Sequence, residues 1–269
     1  MSRSAALDHV GVVGRDLAAL AGLYETLGFT LTPRAPAAGG RLHNRCVMLR
    51  HGYLELMALA PRGTSATIEG FLSRHAGAHV IALSVDDETG AAARLRRAGF
   101  DCPGPEQSDR PIDAADADGR RARFIHLPLP QQPEGRVNLI RHLTPDLLWQ
   151  PRWLDHANRA TALDAVILAV AGPAESAARF SRLAGRPVVP DEGGFALGLA
   201  RGRIRLLPAD AFDASPLLPS IVGVTLRTDD ANAAIMRIAA AASIPFRIDA
   251  DGLTVPDAGG VALRFAPGP

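Results

Sequence analysis

The chain has 269 residues, 47% hydrophobic and 21% charged, the composition of a folded globular protein with room for two ordinary cores rather than of a disordered chain. Its formal net charge is +1 and all 29 basic residues are arginine; the charge balance calls for no nucleic acid, and the missing lysine goes with the Ala, Gly and Pro richness as a composition bias. The two cysteines, Cys46 and Cys102, stand in no metal or redox spacing and fit buried thiols in a reducing cytoplasm, while no continuous apolar run marks a leader or a membrane span.

The first element is the apolar run Leu7-Asp8-His9-Val10-Gly11-Val12-Val13, a strand carrying one histidine. Asp16 then caps a helical pattern through Leu17, Leu20, Ala21, Tyr24 and Leu27, which closes on Gly28 before Phe29. A Pro/Gly/Ala loop from Pro33 to Gly40 precedes two extended runs, Leu42 to Arg50 and Tyr53 to Leu59. The same grammar restarts at His79-Val80-Ile81-Ala82-Leu83-Ser84-Val85, with Asp86 or Asp87 as cap, a helix from Ala91 to Ala98 and the stop Gly99-Phe100. The strand histidine lies 19 residues before its closing glycine in the first unit and 20 in the second. A polar loop from Glu106 to Asp118 leads to strands near Arg123 to Leu129 and Arg136 to His142.

Periodicity lapses between Thr144 and Thr161, where both tryptophans, Trp149 and Trp153, crowd with His156 and Asn158; the segment reads as a connector packed by its aromatics. A third unit opens on Leu163-Asp164-Ala165-Val166, an echo of Leu7-Asp8-His9-Val10, and runs through a helix from Ala174 to Leu183, Gly185 and strands near Phe195 to Ala200 and Arg203 to Leu207. A fourth has a strand from Ile221 to Thr228, a cap at Asp229 or Asp230, a helix with Ile235, Ile238, Ala239 and Ala242 on one face, and short strands at Phe246 to Ile248, Leu253 to Val255 and Val261 to Phe265. Each unit is β-α-β-β-β, and a repeat of this kind decides the fold. The expected domains are 1–143 and 162–269, joined by the connector 144–161.

This tandem resembles the vicinal oxygen chelate superfamily, which includes glyoxalase I, extradiol dioxygenases and bleomycin-resistance proteins. The residues carrying the likeness are Leu7-Asp8-His9-Val10, Tyr24 to Phe29, His43-Asn44, Tyr53-Leu54-Glu55-Leu56 and Trp153 to Asn158. The resemblance implies an α+β fold: four βαβββ modules paired into two half-open eight-stranded sheets, with helices on the outer faces. Ligand positions on the first and last strands map to His9, Glu55, His79 and Asn138 in the first half, and to Ala165, Arg205, Val222 and Ala262 in the second. Strand alternation puts His9 with Leu7 and Gly11, and Glu55 with Tyr53 and Met57.

His9, Glu55 and His79 are then the expected ligands of one divalent metal per chain, Fe, Mn, Zn or Ni, because two imidazoles and a carboxylate with open positions suit such an ion. The competing expectation is that Glu55 pairs with Arg45, Arg141 or the histidines, without a metal. Asn138 stands where glyoxalase I holds a basic glutamate, and an amide has no useful basicity. Glu55 and His43 are the candidate catalytic groups, and Arg45, Tyr53, Met57, Asn138 and Arg141 the candidate substrate contacts. The function these imply is a metal-dependent lyase, isomerase or dioxygenase of the cytoplasm acting on a small oxygenated molecule. The alternative is a non-catalytic sequestering protein of the bleomycin-resistance kind. The second half buttresses the cavity or makes a subunit contact, with a homodimer as an allowed assembly; neither nucleic acid nor a membrane is an expected partner.

Overall fold

Every residue of the first strand, β1 (Ala6–Val13), is buried, because it is hydrogen-bonded on both edges and covered on both faces. The structure, a computed structural model, describes residues 5–113, 119–212, 216–230 and 232–268. After β1 come α1 (Leu17–Thr26), β2 (Ala35–Ala37), β3 (Leu42–Met48), β4 (Tyr53–Leu59), α2 (Ala66–Arg74), β5 (Gly77–Ser84), α3 (Glu88–Arg97), β6 (Glu106–Pro111), β7 (Arg121–Leu127) and β8 (Arg136–His142). These strands form one sheet in the order β2-β3-β4-β1-β5-β8-β7-β6, in which β1 runs parallel to β4 and antiparallel to β5. The two edges, β2 and β6, touch, so the sheet curls towards a barrel.

The second half repeats the plan with β9 (Ala160–Ala169), α4 (Pro173–Ala184), β10 (Val188–Asp191), β11 (Gly194–Gly198), β12 (Arg203–Leu207), β13 (Ser220–Thr228), α5 (Ala233–Ala241), β14 (Arg247–Asp249), β15 (Gly252–Val255) and β16 (Ala262–Pro267). Its strand order, β10-β11-β12-β9-β13-β16-β15-β14, is that of the first sheet translated. The fold is therefore α+β, two eight-stranded sheets each made from two βαβββ units. Helices other than α2 cover the convex faces: Leu20 and Tyr24 of α1, Leu95 of α3, Phe180 of α4 and Ile235 of α5 join Val10, Leu54, Ile81, Leu139, Val166 and Leu206 in one apolar core that continues through both halves. Among the described residues no helix is long and apolar enough to cross a membrane.

The main helices start and stop where their sequence dictates. Asp16 accepts the N–H groups of Ala18 and Ala19, satisfying donors that the helix leaves open, and Gly28 leaves α1 with a φ of 82° that side chains disfavour. Asp87 caps α3 through the Gly90 N–H, whereas α5 starts behind Asn232 and borrows Asp230, which accepts from Ala234.

Four elements depart from the expectations. The stretches read as loops at 33–40 and 106–118 contain β2 and β6, and residues 114–118 lie outside those described. β6, Glu-Gln-Ser-Asp-Arg-Pro, is polar on both sides because an edge strand pairs with one neighbour only and stays wet. β10 lies likewise at an edge, and α2 was not expected at all. Its signal is local: Ser65 Oγ accepts the Ile68 N–H while Glu69 Oε1 accepts the Ser65 N–H, a reciprocal cap.

The two halves meet along a seam that repeats itself. In the β3–β4 turn, Leu163 N–H donates to the His51 carbonyl and Arg50 N–H to the Thr161 carbonyl; in the β11–β12 turn, Leu7 N–H donates to the Arg201 carbonyl and Ala200 N–H to the Ala5 carbonyl. Gly52 and Gly202 sit at matching points with φ of 78° and 75°. A Cβ on Gly52 would lie 2.8 Å from the Asp8 carbonyl, and one on Gly202 3.1 Å from the Asp164 carbonyl. The segment between the sheets is tied down: His156 Nε2 donates to the Met48 carbonyl and Nδ1 accepts the Thr30 N–H, while Trp149 donates to the Leu49 carbonyl.

Candidate functional site

The concave face of the first sheet is set by register. Gly11 stands beside Glu55, which stands beside Cys46; His9 is level with Tyr53, and Val13 with Met57 and, through it, Asn44. Aligned neighbours in a sheet point to the same side, so His9, Glu55, Asn44 and Met57 share the concave face. The register slips between Leu7 and His9 and leaves Asp8 as the extra residue. Leu7 therefore packs in the convex core with Val10 and Val12, a correction to the simple alternation that put it with His9. Asp8 instead lies against the His9 ring.

This bulge builds a chain of polar side chains. His9 Nδ1 donates to Asp8 Oδ1 over 2.7 Å, and His142 Nε2 donates to the same carboxylate over 3.1 Å. Both nitrogens act as donors, because the carboxylate is an acceptor only. Burial alone would raise the pKa of Asp8, but the two histidines more than offset it and hold the group well below the usual carboxylate range. The Asp8 bond fixes the His9 ring so that Nε2 faces Glu55 Oε2, 3.8 Å away, a separation beyond a hydrogen bond. Glu55 Oε1 accepts from Asn44 Nδ2 at 2.6 Å. Tyr53 stacks on His9 with ring centroids 4.4 Å apart, and its hydroxyl pKa is pushed well above the ordinary value by burial and then by Asp8 and Glu55.

Glu55 is the member of this chain that opens on the concave face. It lines a cavity of about 510 Å³ with Leu42, Met57, Val80, Arg136 and Asn138 from the sheet, Arg41 just before β3, and Thr64, Ser65, Thr67, Ile68 and Phe71 from α2 and the turn before it. Apolar side chains close the floor on either side of the polar belt. Met57, Val80, Ile68 and Phe71 pack at one end; Tyr53, Phe124 and Ile140, with Trp149 against them, pack at the other. Arg136 Nε donates to Asn138 Oδ1 over 3.0 Å, which holds a guanidinium on the wall that Glu55 shares. The arrangement offers one carboxylate, two arginines and several hydroxyls to a small polar molecule.

Of the residues expected at the site, Glu55, Met57 and Asn138 line this cavity, and His9 and Tyr53 lie directly behind Glu55. The others are elsewhere. His79 is the extra residue of a second slip, so Val80, not His79, stands opposite Gly11. Its ring stacks on Phe71 at 4.6 Å, its Nε2 donates to the His75 carbonyl at 2.9 Å, and burial lowers its pKa to about 4. The unequal glycine spacings, 19 and 20, carried this signal: counted back 19 from Gly99, the counterpart of His9 is Val80. His43 and Arg45 alternate with Asn44 and point away from the concave face, into a surface cleft with Arg15 and Arg34 beside α1. Arg45 is engaged there by Glu25 at 2.7 Å and by the Thr32 carbonyl. Arg141 is held by Glu88 at 2.7 Å.

Asp8, Asn44, Arg41 and Arg136 are the site residues that sequence reasoning missed. Asn44 and Arg136 were within reach, since each lies on the face of an identified residue, Arg136 two positions from Asn138. Asp8 was not, because its bulge, unlike the one at His79, showed in no difference of spacing.

The four mapped ligand positions do not fit a resident divalent ion. Only His9 and Glu55 offer strong donors; the β5 position facing them is Val80, and Asn138 Oδ1 is occupied by the Arg136 guanidinium. Among the described residues, no three His, Cys, Asp or Glu side chains are gathered to hold a metal. In the second half, Arg205 takes the place of Glu55 and is paired with Asp191 at 2.6 Å. By register the counterpart of Asn138 there is Arg264 rather than the expected Ala262.

Residues 7–184 match a family model described as a glyoxalase-like domain. Among solved structures, a hypothetical protein from Staphylococcus aureus is similar over 98% of this chain and 99% of its own, with a TM-score of 0.70 at 12% identity. A mutant 4-hydroxymandelate synthase from Streptomyces coelicolor has a TM-score of 0.65 at 13% identity, over 99% of this chain and 93% of its own. The Mn(II)-bound glyoxalase from Novosphingobium aromaticivorans has a TM-score of 0.55 at 17% identity, covering 99% and 83%. At these identities the likeness is one of fold. No curated protein sequence matches the chain.

Proposed function

The chain belongs to the glyoxalase-like domain family, and from that premise we propose that its first half is a proton-transfer site for a small oxyanion-bearing molecule, of the isomerase or lyase class. The observation that carries the proposal is the placement of Glu55: a carboxylate on a cavity wall, with one oxygen fixed by Asn44 and the other facing His9. Arg41 and Arg136 on the same walls supply the charge that would hold a carboxylate or a developing enolate. Glu55 is the base that takes a proton from carbon beside the substrate's carbonyl. His9, steered by Asp8, offers that proton a second resting place once the gap to Glu55 closes or a water bridges it. Asp8, by accepting from Nδ1, fixes the ring in the way an aspartate orients a catalytic histidine.

The test is exchange of the α-proton of small 2-oxo and 2-hydroxy carboxylates in D2O, followed by NMR. The expected result is exchange by the wild type and a fall of about 100-fold in Glu55→Gln, the scale of a lost general base. Arg136→Ala should leave the base in place and raise KM about ten-fold, the loss of one charge-assisted contact. Tight binding of such acids with no exchange in any of them would overturn the enzymatic reading and favour the sequestering one.

A further inference from the structure

A second cavity, of about 340 Å³, opens at the other end of β1, where the two halves meet. Arg50 and His51 enter its wall from the β3–β4 turn, Arg201 from the β11–β12 turn, and Arg141 and His142 from the end of β8. The seam hydrogen bonds hold these turns by their backbones, so the side chains project from fixed points. The wall is richer in positive groups than their local partners account for. Arg141 is engaged by Glu88, but the carboxylate paired with Arg50 is Asp229 at 3.9 Å, and Arg201 and His51 have no side-chain partner among the described residues. Two carboxylates also line the cavity. Asp8 is already taken up by His9 and His142, and Asp86 lies exposed at the rim. His142 adds an independent sign: its ring is buried, Nε2 is committed to Asp8, and Nδ1 is buried with no hydrogen-bond partner.

We propose that this cavity binds a compact oxyanion, of phosphate or carboxylate chemistry, between the Arg50 and Arg201 guanidinium groups, with His142 in its wall. Planar guanidinium forks match the paired oxygens of both ligand classes, and drawing one arginine from each half makes the site a property of the assembled chain. It stands apart from the Glu55 cavity and does not rest on the proton-transfer reading; the two share only the Asp8 carboxylate, which His142 meets from this side and His9 from the other.

Trp149 lines the cavity and meets the His142 ring edge-on at 4.9 Å, so its fluorescence reports on occupancy; Trp153→Phe removes the other tryptophan of the chain. Titrating the Trp153→Phe protein with inorganic phosphate, and separately with malonate, should give a saturable signal for at least one, and the tighter of the two assigns the ligand class. Arg201→Ala should weaken that binding by about ten-fold or more, and it leaves intact the Arg201 carbonyl that accepts Leu7 N–H. Glu55→Gln should leave it unchanged. The proposal is overturned if neither anion gives a saturable signal in the millimolar range, or if Arg201→Ala binds as well as its parent.

Discussion

At the scale of single residues, the chain has two kinds of buried histidine, and acid should tell them apart. His79 and His126 are held neutral: burial lowers both to about 4 from an ordinary 6.5. The unfolded chain takes up protons at these sites below pH 6.5 while the folded one does not, so stability is full above 6.5 and is lost as pH falls towards 4. Asp8 acts in the same direction further down, since its lowered pKa gives stability that disappears only below about 3.8. Calorimetric Tm values should therefore fall across the window from 6.5 to 4. His79→Phe, which keeps the stack on Phe71, should flatten that slope and leave α-proton exchange intact; a loss of exchange would return His79 to the site. Asp8→Ala should behave differently. It leaves two buried imidazoles without their acceptor, for which a cost of about 3–5 kcal/mol is expected, while Asp8→Asn keeps the shape and tests steering of His9 through kcat rather than KM.

At the scale of elements, what was legible in the sequence and what was not divide along physical lines. Strands with an apolar core face and helices with a cap and a closing glycine were readable, as in β1 with α1 and β5 with α3, because burial imposes a period and capping imposes a residue type. Edge strands were not, because β6 buries too little to need a pattern. The site was legible in part for the same reason: Glu55, Met57 and Asn138 follow strand alternation, but the bulges at Asp8 and His79 shift one residue each and so decide which neighbours face the cavity. Helix α2 shapes the Glu55 cavity without a sign in the apolar pattern, as Ile68 and Phe71 line it. Ser65→Ala removes its cap and should cost about 1 kcal/mol of stability. Because Ser65 and Thr67 also line that cavity, the same variant should weaken substrate binding more than it slows turnover.

At the scale of the molecule, duplication has left two sheets of one topology with unlike concave faces. The first keeps Glu55 and Asn138 on its cavity wall, and the second closes the same positions with the Arg205–Asp191 and Arg264–Asp249 ion pairs. The second half still bears on the first, through the paired turns and through a buried contact in which Glu134 meets Ser176 and Arg179 of α4. Glu134 is only 1% exposed, so Glu134→Ala leaves Arg179 with Ser176 and the longer contact to exposed Glu175 at 3.8 Å, and should destabilise the chain by about 1–3 kcal/mol. A single calorimetric transition lowered as a whole would show that the halves unfold together. Two transitions, with only one displaced, would show that the seam does not couple them.

In the proposed reaction Glu55 moves the proton with its own neighbours and no resident metal. The most direct measurement compares α-proton exchange by metal-stripped wild-type protein with that of metal-stripped Glu55→Gln. The stripped wild type should keep its exchange rate, and the variant should fall about 100-fold below it. A stripped wild type that is silent, and recovers when a divalent metal is restored, would contradict that reaction.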